Sequence, residues 1–358
     1  MIHEFFIPRR FLNLAAMVEL RQSLFVLTQN TTLRKDSGSV VLCANQSPKT
    51  RIPLIALDAI FCFGRVRCTQ QLLAICVTRG IAVNFLTQHG RFLASVQGYN
   101  HGNIAIRREQ FRKADCPEAC LGIARYIVEG KISNYRSLLR RAARERCSPE
   151  ASKKLERTAD QLDLIQKSLQ SYTSVDAIRG IEGHATQLYF GAFNAMLNSS
   201  DSALQFTQRS RRPPLDPINS LLSFGYTLLA ADMRSACEAA GLDARVGYLH
   251  KLRSGRPSLA LDLMEDFRPL IVDRLVLSLV NRRQISDADF TRTENQGVQM
   301  NDRVRRVFIA AYQKRKLSRI AHPLTQETVS LSQCMIMQAK FLAKHLSEKM
   351  PYTPFITR

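Results

Sequence analysis

Residues Gly247 to Arg268 read Gly-Tyr-Leu-His-Lys-Leu-Arg-Ser-Gly-Arg-Pro-Ser-Leu-Ala-Leu-Asp-Leu-Met-Glu-Asp-Phe-Arg, and the rest of the chain is interpreted from this stretch outward. It places a histidine, His250, and three carboxylates in otherwise apolar sequence. Residues 253–257 predict a turn, and Ser258 is placed to cap the helix that the apolar spacing of residues 259–267 predicts. The stretch therefore combines a helical core segment with ionisable side chains.

Three carboxylates of this helix, Asp262, Glu265 and Asp266, are spaced at i, i+3 and i+4, which predicts that they share one face. Carboxylates packed this closely repel one another, so a metal ion or a basic partner is expected to offset them. Hard oxygen ligands with the imidazole of His250 favour Mg²⁺ or Mn²⁺ over Zn²⁺, since no cysteine falls in the stretch. The alternative is a solvated acidic helix face beside a loop histidine.

The composition is strongly basic. The 358 residues carry 51 Lys plus Arg against 30 Asp plus Glu, a formal net charge of +21. Residues 1–150 hold 22 basic against 10 acidic residues and the remainder holds 29 against 20, so the excess is not one tail. Such a surface favours a polyanion, most often nucleic acid. An anionic membrane surface or simple solubility are the alternatives, but no apolar run is long enough to span a bilayer and no membrane partner is expected.

Neither a secretion signal nor a disulfide framework is predicted. The apolar run at residues 11–17 is cut short by Glu19, and no convincing cleavage site follows. The nine cysteines are scattered, and the close pair Cys116 and Cys120 makes at most half of a zinc site. We therefore expect reduced, structural cysteines and a cytoplasmic protein.

The first quarter of the chain is typical of β-structure. Short runs rich in β-branched and aromatic residues alternate with turn formers. Asp36, Ser37 and Gly38 predict a hairpin turn, and Thr69 is expected to cap a short helix that ends near Gly80. The predicted strands are Leu24–Thr28, Val40–Cys43, Ile60–Phe63, Ile81–Leu86 and Phe92–Val96.

A connector rich in glycine and asparagine, residues 98–103, leads into sequence whose apolar residues recur every three or four positions. The expected fold class is α+β, with a small N-terminal β-rich domain, residues 1–98, followed by a larger all-α domain, residues 99–358. Residues 275–280 are expected to be buried, and residues 303–346 predict two helices. The polar segment 147–158 is expected to connect helices, with Ser148 as an N-cap before Pro149.

A second segment of interest, residues 178–193, carries Glu182 among small residues. The small residues Gly180, Gly183, Ala185, Gly191 and Ala192 predict close helix packing. A glutamate in such surroundings needs a cation, because burial of an unpaired carboxylate is costly. His184 lies at i+2 from Glu182 and therefore points to another side of the helix, so we interpret it as a surface or supporting residue.

Arginines precede a proline-rich loop at residues 213–217, before a helix resumes at residue 219. The prolines predict a stiff, non-helical connection. A rigid basic loop beside carboxylates could clamp a phosphate, or it could be a solvent-facing crossover. The candidate contacts to nucleic acid are Arg211, Arg212, Arg256 and Asn219.

These segments together resemble the CRISPR-associated endonuclease and integrase family, the first-numbered protein of CRISPR systems, which inserts new spacers. The likeness covers roughly residues 24–346, and separated motifs in the same order make it specific. The matching segments are Gly90–Ala94, Leu138–Glu145, Arg179–Gly183, Ser210–Gly225, Gly247–His250 and Ser258–Pro269.

The resemblance implies an N-terminal domain that dimerises and a helical domain that binds a divalent ion, Mg²⁺ or Mn²⁺. The family's metal ligands fall on Glu182, His250 and Glu265, with Asp262 as a second acidic position beside them. Family members act on double-stranded DNA, the protospacer and the CRISPR repeat, as two homodimers bridged by a small second CRISPR-associated protein. The implied reaction is attack of a 3′-hydroxyl on a phosphodiester, catalysed at Glu182, His250, Glu265 and Asp262.

Two other functions remain open from the sequence. One is a stand-alone metal-dependent nuclease or junction resolvase that never joins ends. The other is a non-catalytic scaffold for nucleic acid in which the carboxylates only pair with arginines. No family ligand is missing from the chain, and this favours an active enzyme.

Overall fold

The computed structural model describes residues 22–44, 47–96, 104–145, 148–197, 204–294, 297–348 and 350–357. A β-rich N-terminal part is followed by a mostly helical part, so the predicted α+β fold class is confirmed. The predicted connector and the domain boundary at residue 98 fall within residues 97–103, outside the described residues.

The N-terminal part contains two four-stranded sheets. The first has the order β1-β5-β7-β8, in which β1, β5 and β7 are parallel and β8 is antiparallel. The second has the order β4-β3-β2-β6, in which only the β2–β6 pair is parallel. The elements are β1 (Gln22–Val26), β2 (Thr31–Asp36), β3 (Ser39–Ala44), β4 (Ser47–Pro53), β5 (Leu57–Phe63), β6 (Val66–Cys68), α1 (Gln70–Thr78), β7 (Ala82–Leu86) and β8 (Phe92–Val96).

Local sequence explains how these strands begin and end. Ser37 and Gly38 join β2 to β3 with φ angles of 42° and 82°, as a two-residue hairpin requires, so the predicted turn is confirmed. Thr69 Oγ1 accepts a hydrogen bond from Leu72 N and caps α1 as predicted. Gly80 follows the end of α1 with a φ of 69°.

Strand β5 is buried on both faces, which is why its sequence is almost continuously apolar. Ile60 and Cys62 face a small core between the two sheets and α1. Phe61 and Phe63 face a larger core shared with the helical part. The Phe63 ring lies 6.0 Å from the ring of Phe224, so sheet and helices meet in one apolar interior.

The C-terminal part is helical with two short hairpins that the sequence pattern did not predict. The hairpins pair β9 (Phe290–Arg292) with β10 (Val298–Met300), and β11 (Arg319–Ala321) with β12 (Thr328–Ser330). The helices are α2 (Ile104–Ala114), α3 (Pro117–Arg144), α4 (Pro149–Ser168), α5 (Val175–Gly191), α6 (Pro217–Ala239), α7 (Ser258–Leu263), α8 (Arg274–Asn281), α9 (Asp302–Lys316) and α10 (Leu331–Glu348).

Helix α4 corrects one prediction. Ser148 caps it by accepting a hydrogen bond from Ala151 N, as predicted, but residues 149–158 continue as helix rather than as a connection. The segment is polar because α4 exposes most of its surface and buries a narrow stripe that includes Leu155, Ala159 and Leu162. Cys147 lies outside the described residues. The expected burial of residues 275–280 is confirmed except at Ser278, which is partly exposed.

No helix among the described residues is long and apolar enough to cross a membrane. Each described cysteine is free of a disulfide, including the pair Cys116 and Cys120.

Candidate metal centre

The helix predicted from residue 258 onward is shorter than expected. Helix α7 ends at Leu263, a 3₁₀ turn spans Met264–Asp266, and a π-helical segment covers Arg268–Asp273. Ser258 is the first helical residue instead of the cap, and its hydroxyl donates to Lys251 O at 3.2 Å. The 3₁₀ turn is narrower than an α-helix and the π-helical segment is wider. The acidic side chains therefore point in other directions than they would on a regular α-helix.

The three carboxylates of this segment do not share one face, contrary to the prediction. Asp262 contacts the backbone of residues 248–250, whereas Glu265 points toward Lys131. Asp266 accepts a hydrogen bond from Phe355 N at 2.9 Å and lies beside Gly130, so it anchors the C-terminal segment. Asp266 is therefore set apart from the other two carboxylates.

Asp262 holds the loop that carries His250. Its buried carboxylate accepts hydrogen bonds from the backbone N–H groups of Tyr248 at 2.6 Å, Leu249 at 3.0 Å and His250 at 2.9 Å. Its Oδ1 also lies 2.7 Å from His250 Nδ1. Gly247 permits this approach, since a Cβ there would lie 2.7 Å from Asp262 Oδ2. The imidazole is thus fixed through Nδ1, and Nε2 faces the interior of the site.

Glu182 and Glu265 both contact a buried ammonium group, and His250 lies beside Glu265. Lys131 Nζ pairs with Glu182 Oε1 and lies 2.8 Å from Glu265 Oε2. His250 Nε2 lies 3.8 Å from Glu265 Oε1, and Thr186 Oγ1 donates to Glu182 Oε1 at 2.9 Å. Three side chains from α5, a loop and the 3₁₀ turn therefore converge, although 83 positions separate the first from the last.

Two cations of this site were not predicted from the sequence. Lys131, on α3, has a side chain only 1% exposed, and Arg268 Nη2 lies 3.0 Å from Glu265 Oε1. The signal for Lys131 was present, because it is a charged residue within the apolar stripe of Ile127, Val128 and Ile132. These cations supply the positive partner that the crowded carboxylates were expected to need.

The electrostatics of the site favour ionised glutamates. Burial opposes ionisation of Glu265, but Arg268, Lys131 and His250 outweigh it and lower its pKa to about 2. Burial likewise opposes ionisation of Glu182, and Lys131 brings its pKa below the ordinary value. Asp266 has no such partners, and burial raises its pKa well above the usual range. The two glutamates are therefore anionic acceptors at neutral pH, and Asp266 is a structural acid.

The residues fit a divalent ion in their chemistry, although their present side-chain positions do not form a ready-made cage. No group of three histidine, cysteine or acidic side chains in the described chain is placed to hold a metal, since Lys131 stands between the glutamates. Glu265 Oε2, however, is buried and accepts no hydrogen bond there, because the contact with Lys131 lacks hydrogen-bond geometry. An imidazole held by a carboxylate at Nδ1 is also the usual arrangement of a metal-binding histidine.

Arginines border this site. Arg211 and Arg212 are exposed on the loop before α6. Burial has the largest effect on the pKa of the partly exposed Arg256 and lowers it. Repulsion from Arg253, Arg211 and Arg179 acts in the same direction. Arg179, Arg211 and Arg256, which come from distant parts of the chain, therefore lie close enough for their charges to interact.

Asn219 corrects the expectation of a direct contact with nucleic acid. It is fully buried, its Oδ1 accepts hydrogen bonds from Arg209 Nη1 and Ser210 N, and its Nδ2 donates to Gln208 O and Asp216. The side chain thus folds the arginine loop against the start of α6, and its amide is not available at the surface.

The small residues around Glu182 confirm the packing prediction only in part: Ala185 and Ala192 are buried, whereas the glycines are not packed. Gly180, Gly183 and Gly191 have no neighbour within 4 Å of an added Cβ, so they leave one face of α5 bare instead of packing closely. His184 is exposed, as expected of a surface residue. Glu182 consequently stands at the edge of the interior, with its side chain 23% exposed.

The β-rich part has two sheets and shares a core with the mostly helical part that follows it. This fold matches that of a solved CAS1 protein. Residues 24–314 match the family model described as CRISPR associated protein Cas1. The chain belongs to the Cas1 family.

Relatives cover nearly the whole chain. CRISPR-associated endonuclease Cas1 1 of Chlorobaculum tepidum is 46% identical over 94% of this chain and 98% of its own length. CRISPR-associated endonuclease Cas1 2 of Rhodospirillum rubrum is 41% identical over 92% and 96%. Among solved structures, a CAS1 protein from Thermotoga maritima superposes with a TM-score of 0.78 at 28% identity, covering 91% of this chain and 96% of that one.

Proposed function

We propose that this chain is a divalent-metal-dependent DNA endonuclease and integrase that inserts new spacers into a CRISPR array. The observation that carries the proposal is that Glu182 and Glu265 share one buried cation position and that His250 lies beside Glu265. Family membership and the relatives' names as CRISPR-associated endonucleases support it.

Glu182, His250 Nε2 and Glu265 would hold the ion, and Asp262 would orient the imidazole. All four acceptor contacts of Asp262 go to the loop of residues 248–250, so it acts through His250. Two carboxylates and an imidazole suit Mg²⁺ or Mn²⁺. Such an ion, when bound, supplies Lewis-acid stabilisation of charge on a phosphodiester.

The reaction needs no protein nucleophile. The oxygen of a DNA 3′-hydroxyl forms a bond to phosphorus while the bond to the leaving 3′-oxygen breaks, and the proton of the attacking hydroxyl passes to solvent or the leaving oxygen. Water in place of the hydroxyl gives cleavage without joining. Arg211, Arg212 and Arg256 would hold the neighbouring phosphates, for which charge-assisted hydrogen bonds are suited.

The proposed partners follow from the family. They are double-stranded DNA (the protospacer and the CRISPR repeat), a second copy of this chain that pairs through the domain of residues 1–98, and the small second CRISPR-associated protein that bridges two dimers. The helical domain of residues 99–358 carries the chemistry, and the proposed location is the cytoplasm.

An integration assay separates joining from cleavage. A protospacer duplex with 3′-hydroxyl ends is incubated with repeat DNA in Mn²⁺, alongside the same duplex with 3′-deoxy ends. We expect joined products from the first donor and none from the second. Cleavage of DNA that is equal for both donors, with no joined product, would favour the stand-alone nuclease or junction resolvase.

Matched histidine variants test the site. His250→Ala and Glu182→Ala are expected to abolish both joining and cleavage, since each removes a metal ligand. His184→Ala is the control, because it removes an exposed imidazole two residues from Glu182 and should leave both activities unchanged. If the wild type neither joins nor cleaves DNA in Mn²⁺ and both variants bind DNA as tightly as it does, the chain is the non-catalytic scaffold, whereas full activity of both variants would mean that these residues do not form the active site.

A further inference from the structure

A cleft with a volume of about 670 Å³ opens beside the candidate metal centre and takes no part in it. Its walls come from α3, the π-helical segment, α8, α9 and the C-terminal residues 356–357. The volume is within the range of sites that enclose small organic ligands, about 300–1,000 Å³. The cleft is thus large enough for a nucleotide-sized group.

The described residues that line this cleft include four arginines, Arg141, Arg144, Arg274 and Arg315. They include one acidic residue, Glu145. Arg141 pairs with Glu145 at 2.6 Å, and Arg315 donates to Leu270 O at 2.8 Å. Within the described chain, Arg144 and Arg274 have no carboxylate at ion-pair distance. The cleft therefore holds an excess of positive charge that the protein itself does not neutralise.

The arginines repel one another. Burial, together with the charges of Arg274 and Arg141, lowers the pKa of Arg315 to about 10. Burial and the charge of Arg141 lower the pKa of Arg274, and they outweigh the opposing charge of Glu145. An anion in the cleft would relieve this repulsion, because opposite charge favours the protonated guanidinium.

The floor of the cleft is apolar. Leu138 and Leu270 are buried within it, and Pro269, Leu331 and Ile356 complete the lining. An apolar floor beneath an arginine rim suits a flat base with an attached phosphate, since bases stack on apolar and guanidinium surfaces. An acidic peptide would use the rim and leave this floor unfilled.

The cleft is separate from the metal centre but close to it. Arg141 lies ten residues beyond Lys131 on α3, about 15 Å along the helix axis, which corresponds to about four or five nucleotides of a stacked strand. Pro269 and Leu270 directly follow Arg268, which binds Glu265. A strand held in the cleft could therefore extend to the metal centre.

We propose that this arginine cleft is a binding site for a nucleotide unit, with the phosphate on Arg144 and Arg274 and the base on the apolar floor. The assignment rests on the proposed function for the identity of the natural ligand, a nucleic-acid strand. A free nucleotide offers the same chemistry, and the experiment distinguishes the two sources.

Fluorescence anisotropy in EDTA measures the binding of a labelled 12-nucleotide single strand. Arg144→Gln/Arg274→Gln is expected to weaken binding about tenfold, and to reduce the slope of log affinity against log salt by about 1.4, as expected for two lost phosphate contacts. Arg79→Gln/Arg157→Gln, which removes two exposed arginines elsewhere, should change the affinity less than about twofold. Deoxyadenosine monophosphate should compete only weakly if the ligand is a strand, whereas tight competition identifies a free nucleotide.

Stability provides an independent check. Because Arg144 and Arg274 have no described carboxylate partner, their replacement should leave the melting temperature unchanged or raise it, while two structural arginines would lower it. Equal loss of affinity in both double variants, or unchanged affinity in the cleft variant, overturns the proposal. If the cleft variant does not fold, a photo-reactive strand must label cleft peptides of the wild-type chain, and labelling confined to other peptides overturns it.

Failure of the cleft is distinguishable from failure of the metal centre. Glu182→Ala should bind the single strand in EDTA at least as tightly as the wild type, because it leaves the arginines of the cleft intact and removes a negative charge from the metal centre. Retained cleavage by Glu182→Ala would contradict the proposed function, whereas retained strand affinity in Arg144→Gln/Arg274→Gln would contradict only the cleft.

Discussion

Lys131 carries a buried ammonium group that two glutamates share. Removing one side of a buried ion pair leaves the other uncompensated and costs about 3–5 kcal/mol. Lys131→Met should therefore lower the free energy of unfolding of the metal-free protein by about that amount. Mn²⁺ should restore more stability in the variant than in the wild type, because Glu182 would then lack its cation and Glu265 would keep only Arg268. Urea unfolding in EDTA and in Mn²⁺ measures both effects.

Lys153→Met is the matched control for that measurement. Lys153 is exposed on α4, so its replacement should change stability by less than about 0.5 kcal/mol and leave the Mn²⁺ effect as in the wild type. If Mn²⁺ stabilises Lys131→Met no more than the wild type, Glu182 and Glu265 do not share a cation site.

His322 gives the protein a predictable response to acid. It is 2% exposed, its Nδ1 accepts hydrogen bonds from Leu324 N and Thr325 N, and burial lowers its pKa to about 4. Between pH 6.5 and 4, His322 is protonated in the unfolded chain and neutral in the folded chain. The contribution of His322 to the free energy of unfolding is therefore fully present above pH 6.5 and is lost as pH falls toward 4. The total loss is on the order of 3 kcal/mol.

Urea unfolding at pH 7, 5.5 and 4.5 tests this response. His322→Gln should lose stability less steeply over that range than the wild type, whatever its stability at pH 7. The exposed His184→Gln should follow the wild-type curve. Parallel curves for His322→Gln and the wild type would mean that His322 titrates normally in the folded protein.

At the scale of elements, two glycines inside helices should respond oppositely to alanine. A Cβ on Gly225 of α6 would lie 2.5 Å from Val272 Cγ1 and 2.9 Å from Phe308 Cζ, so Gly225→Ala should destabilise by about 1–3 kcal/mol through overpacking. Gly183 of α5 meets open space, and Gly183→Ala should stabilise by up to about 1 kcal/mol because alanine favours helix. Thermal unfolding of both variants measures these changes in stability. A change of the same sign in both variants would contradict the packing described for α5 or α6.

These glycines also show how far sequence patterns reach. Periodicity and turn residues predicted most elements, because strands such as β5 and helices such as α8 are buried and must be apolar. They did not predict β4 and β6, which lie at the edges of their sheet and need few apolar residues. Whether a helical glycine is packed or faces solvent depends on which other elements lie against the helix at that position. This is a property of the tertiary structure.

The sequence predicted the acidic residues and the histidine of the candidate site, but it did not lead us to the lysine and the arginine. Glu182, His250, Glu265 and Asp262 stand out as polar groups in apolar segments, and the resemblance to a family joins them across the chain. Lys131 was missed although its place in the apolar stripe of α3 was a signal, whereas Arg268 is one of many arginines in a basic chain and only the fold shows that it binds Glu265. The i, i+4 argument for Asp266 failed because α7 gives way to 3₁₀ and π geometry after Leu263.

Across the whole molecule, the described residues bury more acids than bases, so the surface is no less basic than the net charge of +21 indicates. Arg305 of α9 is buried against Gln88 O and Asp302, and Lys316 of α9 is buried between Asp232 and Ser23 Oγ. These cations fasten the β-rich part to the helical part. The two predicted domains therefore share polar contacts as well as the apolar core around Phe63.

Such an interface predicts that the sheets and helices unfold together. Phe63→Ala removes a fully buried ring that faces Phe224, which should cost about 3–5 kcal/mol and lower the hydrogen-exchange protection of α6 as much as that of β5. Leu72→Ala, in the smaller core between the sheets, should lower protection mainly in α1, β2 and β3. Mass spectrometry of the exchanging peptides distinguishes the patterns, because independent domains would leave α6 unchanged in Phe63→Ala while β5 loses its protection.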